Sequence, residues 1–239
     1  VHAGDGFISL GTSGQLFVTT DSYRSNIENR IHAYAHTVPG HWFQMAAMLN
    51  GARPMAWLAE LLNRPIDVLL DEAAQSQPGP LFLPYLTGER TPHGDTTIRG
   101  GFANLGETTT QGSLMRAVLE AIAFSFADAA QAFAAAGTTP KSVLAIGGGT
   151  RSDLLMQMIA DITGISLGRS DDAVVGPALG AARLAVVASG DRPIEAVMQR
   201  PDVRLWFKPQ TARDLISPAR LEAYRALYPA LRLVQRQLR

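Results

Sequence analysis

The amino-acid sequence predicts a mixed α/β fold, and two observations support this class. In the first part of the chain, short β-rich runs follow one another across tight turns, as in antiparallel sheets. In the last part, short apolar runs alternate with longer helical patterns, and strand–helix alternation of this kind favours parallel pairing. We therefore expect an antiparallel meander followed by a parallel α/β half.

The meander begins with a predicted hairpin. Residues 7–10 and 16–20 are β-rich runs on either side of the turn Gly11-Thr12-Ser13-Gly14. Residues 31–36 alternate large and small side chains, which predicts a third strand. Residues 41–49 fit either a strand or a helix by periodicity, and we favour a strand because an Asn-Gly pair interrupts the run.

Helices are predicted on both sides of a long irregular segment. Pro54 suits the first turn of a helix that continues to residue 62, and residues 66–74 form another. Residues 75–110 are rich in Pro, Gly and Thr, and a loop of this length inside a compact domain is usually functional. Residues 112–136 then form a long apolar helix, with Gly137 placed to end it.

The remaining elements alternate between strand and helix. They are strand 142–145, helix 153–163, strand 165–168, helix 176–189 and a last helix from about residue 218 to the end. Strands, a helix and then this alternating series resemble the order in the ribonuclease-H-like ATPase domains of actin and hexokinase.

Composition limits the partners of the chain. Its 239 residues carry 21 basic and 21 acidic side chains, and the resulting zero net charge argues against nucleic-acid or anionic-membrane partners. The absence of cysteine excludes disulfides and thiolate metal sites and agrees with a reducing cytoplasm. No apolar run approaches the roughly 18 residues of a membrane span. Because a strand follows Val1 almost at once, we expect the chain to begin inside a larger protein.

Two glycine turns are the candidate binding elements. Gly147, Gly148 and Gly149 follow an apolar strand and precede a helix, so backbone can approach a base or phosphate where free helix N–H groups also point. Gly11-Thr12-Ser13-Gly14 offers backbone donors and two hydroxyls, which suit phosphates. A plain hairpin turn would use the same residues. Two such turns predict one ligand held at both ends.

Six segments together resemble the C-terminal domain of the FGGY carbohydrate kinases. The run Gly88-Glu89-Arg90-Thr91-Pro92-His93 resembles the xylulokinase branch more than the glycerol kinases. The gluconate kinases are more similar to this chain than the glycerol kinases are, so the run separates them less well. The matching segments are residues 7–14, 82–93, 99–102, 116–120, 146–164 and 175–183.

The resemblance implies an actin-like nucleotide-binding domain over residues 1–239, the C-terminal half of a two-domain kinase. Such an enzyme transfers the γ-phosphate of ATP, with Mg²⁺, to D-xylulose and forms D-xylulose 5-phosphate. In the family, the N-terminal domain holds the sugar and the catalytic aspartate, so the resemblance assigns this chain no catalytic residue and no metal ligand. Two alternatives stay open: the same half of a kinase for gluconate or another sugar or polyol, and a non-catalytic nucleotide-binding module.

The resemblance also implies which residues bind the nucleotide. It places Gly11, Thr12, Ser13 and Gly14 at the phosphates, with Thr12 as the main contact. It places Gly51 at the adenine pocket, and Gly147, Gly148, Gly149 and Ser152 at the adenosine.

The remaining expectations concern the partners and the loop of residues 88–93. The expected partners are ATP or ADP, the N-terminal domain of the same enzyme and possible homodimer formation, in the cytoplasm. We interpret Glu89, Arg90 and His93 as a loop that braces the domain interface through a Glu–Arg pair.

Overall fold

The computed structural model describes residues 1–170, 176–210 and 217–238, and its centre is a seven-stranded mixed sheet. The order across this sheet is β3-β4-β2-β1-β7-β8-β9, while β5 and β6 form a separate two-stranded sheet. The strands are β1 (Gly6–Leu10), β2 (Gly14–Thr20), β3 (His32–Ala35), β4 (Trp42–Met48), β5 (Leu81–Leu83), β6 (Gly101–Ala103), β7 (Ser142–Ile146), β8 (Ser166–Arg169) and β9 (Leu205–Phe207).

The helices agree with the sequence patterns to within about two residues at the ends that were predicted. They are α1 (Arg53–Leu62), α2 (Ile66–Gln75), α3 (Gln111–Ala135), α4 (Asp153–Thr163), α5 (Gly176–Ala188), α6 (Ile194–Val197) and α7 (Pro218–Gln237). The patterns did not predict α6 or β9, because four and three residues are too short for periodicity to show. Val175, which belongs to one of the family-like segments, lies outside the described residues.

The antiparallel side differs from the predicted meander in strand order. β4 lies between β2 and β3, and it pairs with both, so β3 forms the edge of the sheet. Burial explains this order, since Ala46 and Met48 of β4 are almost fully buried whereas Tyr34 of β3 is 53% exposed. The more apolar strand takes the inner position.

The long irregular segment contains more structure than the sequence indicated. β5 and β6 pair antiparallel within it, and Phe82 of β5 stacks on Trp57 of α1 and packs against Phe102 of β6. Each strand has only three residues, so composition dominated by Pro, Gly and Thr concealed them. The segment is therefore packed onto the domain through its aromatic side chains.

α3 is the central helix of the core. It contacts β2 and β4 of the main sheet as well as helices α1, α2, α4 and α7. Contrary to the expectation from the sequence, α3 has the length and the hydropathy of a membrane span, but 78% of that apolar stretch is buried inside the fold. Packing against its neighbours accounts for the apolar character of this helix.

A buried carboxylate fastens α7 to α3. Glu120 of α3 is 1% exposed, and it accepts hydrogen bonds from Arg116 on its own helix and from Arg220 on α7. Arg220 also donates to the carbonyl oxygens of Gly79 and Pro80, just before β5. Three segments that are distant in sequence therefore meet at one carboxylate.

We predict that Glu120→Gln lowers the free energy of unfolding by about 3 kcal/mol, because two guanidinium groups lose a buried anionic partner. Urea denaturation followed by circular dichroism measures the change. The control is Glu222→Gln, which removes a carboxylate that is 70% exposed and pairs with Arg225 on α7. That variant should change stability by less than about 1 kcal/mol, and equal losses in the two variants would contradict the prediction.

Candidate nucleotide-binding site

The parallel pairing of β1 with β7 brings the two glycine turns together. Ser9 is opposite Ile146 in this register, so both strands end at the same edge of the sheet and each continues into one of the turns. The contact is close: a Cβ on Gly147 would lie 2.7 Å from the carbonyl oxygen of Leu10. Turns separated by more than 130 residues in sequence are therefore adjacent in space.

The Asn50-Gly51 turn that follows β4 is the third segment at this edge. The backbone N–H of Gly51 donates to the carbonyl oxygen of Thr12 at 2.9 Å, and the N–H of Ala52 donates to that of Gly11 at 2.7 Å. A Cβ on Gly51 would lie 2.3 Å from the carbonyl carbon of Ser13. Glycine is required at position 51 because two backbone segments touch there.

The hairpin turn directs its carbonyl oxygens inward and leaves its hydroxyl-bearing residues exposed. Leu10 pairs with Gly14, so Gly11, Thr12 and Ser13 form a three-residue loop between β1 and β2. Thr12 and Ser13 are exposed, whereas Gly14 is buried against Met48. Two hydroxyl side chains thus lie at the surface of this loop, while the carbonyl oxygens of Gly11 and Thr12 accept the N–H groups of Ala52 and Gly51.

The glycine run forms a short 3₁₀ helix, Gly148–Arg151, between β7 and α4. Gly147 has φ of 95°, and its carbonyl oxygen accepts the Thr150 hydroxyl at 2.7 Å. Gly149 packs against Ala52 and Leu10, which links this run to the other two segments. Gly148 differs, because a Cβ there would meet nothing within 4 Å. Open space at Gly148 is what a ligand lying against the backbone requires.

Ser152 and Arg169 hold the end of this run. The Ser152 hydroxyl accepts the N–H of Leu155 and caps the N-terminus of α4, a role that the sequence reasoning did not assign to it. Arg169, at the end of β8, donates to the carbonyl oxygen of Thr150 at 2.7 Å and pairs with Asp153 at 2.8 Å. Because Asp153 lies in the first turn of α4, it also suits the positive end of the helix dipole.

The groups at this site suit a ligand that carries anionic oxygens and a flat ring. The site offers two exposed hydroxyls and open backbone at Gly148, while the N-terminus of α4 is already capped by Ser152. Across residues 1–170, 176–210 and 217–238, no group of three or more His, Asp or Glu side chains is gathered to hold a metal ion. Exposed hydroxyls and open backbone suit the phosphates and the flat base of a nucleotide.

Comparison with known proteins identifies the family. Residues 6–189 match the model of the FGGY family of carbohydrate kinases, C-terminal domain. The chain belongs to this family.

Two relatives extend the match over almost the whole chain. The xylulose kinase of Escherichia coli K12 is 38% identical over 97% of the chain and 49% of its own length. The solved xyloylose kinase of Brucella ovis is 35% identical with a TM-score of 0.89, over 98% of the chain and 49% of its own. The fold is therefore the actin-like ATPase fold of the FGGY kinases, and the chain spans about half the length of these relatives.

A gluconate kinase is also similar in structure. The solved gluconate kinase of Lactobacillus acidophilus is 25% identical with a TM-score of 0.75, over 99% of the chain and 48% of its own length. The identity and the TM-score are both lower than for the xyloylose kinase, while the coverage is the same to within one or two per cent.

The Gly88–His93 run of this FGGY domain is not held by the expected ion pair. Glu89 is 1% exposed and accepts the backbone N–H groups of Leu49 and Arg90, at 2.6 and 2.7 Å, and the side-chain amide of Asn50 at 3.3 Å. Arg90 reaches Glu89 through its backbone N–H, and its guanidinium side chain is exposed. A buried carboxylate is better satisfied by fixed N–H donors than by a solvated side chain.

His93 belongs to a separate cluster with α7. Its ring stacks on Tyr228 with centroids 3.6 Å apart, and its Nε2 lies 3.2 Å from the hydroxyl of Tyr85. Burial lowers the pKa of His93 to about 4, so the ring is neutral near pH 7. The loop of residues 88–93 is therefore packed within this domain at both ends.

Sequence reasoning missed Asn50 and Arg169, whose side chains bind the segment of residues 86–89 and the carbonyl oxygen of Thr150. Asn50 is 2% exposed, and its amide donates to the carbonyl oxygen of Gly88 and accepts the N–H of Leu86. A polar residue at the end of an apolar strand is a signal for such a role. No comparable signal marks Arg169, because its partners are backbone atoms and one exposed carboxylate.

We predict that Gly51→Ala lowers the free energy of unfolding by about 1–3 kcal/mol, because the new methyl group would overlap the backbone of Ser13. Gly148→Ala is the matched control and should change stability by less than about 1 kcal/mol, since the space beside it is open. Thermal unfolding of both variants checks the difference. Comparable losses at the two positions would show that the turns are not packed in this way.

Proposed function

We propose that this chain is the ATP-binding domain, over residues 1–239, of a two-domain kinase that phosphorylates D-xylulose to D-xylulose 5-phosphate. The observation that carries the proposal is the meeting of the two glycine turns at the ends of β1 and β7. Exposed hydroxyls stand at one turn and open backbone at the other, which matches the two ends of a nucleotide.

Each end of the nucleotide has its proposed contacts. The phosphates bind at the loop of residues 11–14, where the Thr12 hydroxyl is the main donor and Ser13 contributes the second. The adenosine lies along the run of residues 147–149, with Ser152 at the ribose and Gly51 behind the base. Mg²⁺ accompanies the phosphates, which supply oxygen ligands of the kind it prefers.

The sugar and the partner domain are proposed from the relatives. The E. coli protein at 38% identity is a xylulose kinase, and the chain covers 49% of it, which suits one domain of two. The surface supports a partner as well: α5 is apolar in sequence, yet none of its residues is buried. We propose that the N-terminal domain of the same enzyme packs near α5 and holds most of the sugar. Homodimer formation and a cytoplasmic location stay predictions from the sequence.

A kinase for gluconate is the second candidate. The solved gluconate kinase supports it, since it shares the fold over nearly the whole chain. The xylulose kinase proposal is preferred because the identity is 38% for the E. coli xylulose kinase against 25% for the gluconate kinase.

We predict that the chain binds Mg·ATP and that Thr12→Ala and Gly148→Val each weaken binding by about tenfold. Thr12→Ala removes a hydrogen bond to a charged phosphate, and the valine side chain fills the space proposed for adenosine. Isothermal titration calorimetry measures the dissociation constants.

The controls are Thr37→Ala, an exposed threonine between β3 and β4 at the opposite edge of the sheet, and Gly106→Val, a position with open space outside the three turns. Both should bind ATP as the unaltered chain does. Unchanged affinity in Thr12→Ala and Gly148→Val together would refute a nucleotide held at both ends, and no binding by the unaltered chain would refute the nucleotide site itself.

We predict that the chain alone does not phosphorylate D-xylulose, because its catalytic aspartate is expected in the N-terminal domain. A coupled assay for ADP release, run with D-xylulose, D-gluconate and glycerol, checks this for the chain and for the full-length gene product. Turnover by the chain alone would place the catalytic base within it. A preference of the full-length protein for gluconate would favour the second candidate.

A further inference from the structure

The contacts of Glu89 and Asn50 connect the segment of residues 86–89 to the Asn50-Gly51 turn of the nucleotide site. The side-chain amide of Asn50 donates to the carbonyl oxygen of Gly88 at 2.8 Å and to the Glu89 carboxylate at 3.3 Å, and its oxygen accepts the N–H of Leu86 at 3.1 Å. Both side chains are at least 98% buried. Every hydrogen-bonding group of the Asn50 amide is therefore engaged by the segment that contains Gly88 and Glu89.

The backbone itself is held at the same point. The N–H of Leu49 donates to Glu89 Oε1 at 2.6 Å. Gly88, the residue before Glu89, has φ of 85° and lies against the backbone of Thr96. This contact fixes the direction from which Glu89 approaches β4. Burial raises the pKa of Glu89 to about 7 even though its N–H donors favour the charged form, so the cost of burying this carboxyl group is substantial.

The next residues of the chain touch the phosphate turn. Gly51 follows Asn50 and donates its N–H to the carbonyl oxygen of Thr12, with backbone contact to Ser13. Ala52 donates in the same way to Gly11. The path from Glu89 to the loop of residues 11–14 consists of Leu49, Asn50 and two backbone hydrogen bonds, with no flexible side chain in between.

We propose that Glu89 is a positioning residue for the phosphate-binding turn. Through Leu49 and Asn50 it sets the backbone of Gly51, and Gly51 sets the loop that carries Thr12 and Ser13. Glu89 does not touch the substrate, because it is 1% exposed and faces the end of β4. The inference rests on the proposed nucleotide site and adds a residue to which neither the resemblance nor the glycine turns assigned such a role.

Two variants of Glu89 separate its hydrogen bonds from its charge. Glu89→Leu removes the acceptor of the Leu49 and Arg90 N–H groups and leaves the Asn50 amide nitrogen its bond to Gly88, whereas Glu89→Gln keeps one oxygen for the two backbone N–H groups. We expect Glu89→Leu to weaken Mg·ATP binding to the chain by about tenfold, because small displacements of a positioning group are costly. Glu89→Gln should bind within about threefold of the unaltered chain. Calorimetry is run at a temperature where circular dichroism shows every variant folded.

Glu120→Gln is the control for stability, since it removes a buried carboxylate whose hydrogen-bond partners, Arg116 and Arg220, lie on α3 and α7. It should unfold more easily than the unaltered chain and bind Mg·ATP with unchanged affinity. A second readout needs no nucleotide: in ¹⁵N–¹H correlation spectra, both Glu89 variants should shift the amide resonances of residues 11–14 and 51, and Glu120→Gln should leave them in place.

The possible outcomes are distinct. If the unaltered chain binds no ATP, the nucleotide site fails, while the amide shifts still test the positioning role. If ATP binds and Glu89→Leu binds it equally well with unshifted amides, the positioning role is overturned. If Glu89→Leu does not fold, Glu89→Gln decides through its amide shifts at residues 11–14 and 51. Equal loss of affinity in Glu89→Leu and Glu120→Gln would mean that Glu89 acts only through overall stability.

Discussion

The parallel pairing of β1 with β7 is the interaction on which the site depends. Parallel strands end at the same edge of a sheet, and here each continues directly into a glycine-rich turn. The pairing requires a long crossover, and α3, which packs against β2 and β4, is the last helix of this connection before β7. A ligand that reaches both turns must lie across the ends of these two strands.

Contact between backbone segments gives the site its rigidity. Gly51 against Ser13 and Gly147 against Leu10 leave no room for side chains, so each turn restricts the other. Gly148 is open, and the contrast separates glycines that the fold requires from one that suits a ligand. The hydroxyls of the hairpin turn are exposed on this rigid base. Such an arrangement suits phosphoryl transfer, which depends on positioning and on electrostatic stabilisation of the phosphates.

Buried carboxylates perform the fastening in two places. Glu120 joins α3 to α7 with two arginines, whereas Glu89 joins the segment of residues 88–93 to the end of β4 with N–H donors. The difference appears in the pKa of Glu89, which burial raises to about 7 because no cation compensates for the lost hydration. The expected ion pair between Glu89 and Arg90 was wrong, because the Glu89 carboxylate is buried while the Arg90 side chain is exposed. Adjacent residues on an irregular loop point in different directions, and only the fold decides which one is buried.

The sequence by itself determined the elements that have a strong period or a distinctive turn. Strands β1, β2, β3, β4, β7 and β8 and the long helices were predicted, as were the glycine turns, because alternation, helical periodicity and glycine are local properties. The tertiary structure alone decided that β4 lies inside β3, that β5 pairs with β6, that Asn50 and Glu89 join the segment of residues 86–89 to the end of β4, and that Arg169 binds the carbonyl oxygen of Thr150. These features depend on competition for burial and on hydrogen bonds between distant segments, and no local pattern records either.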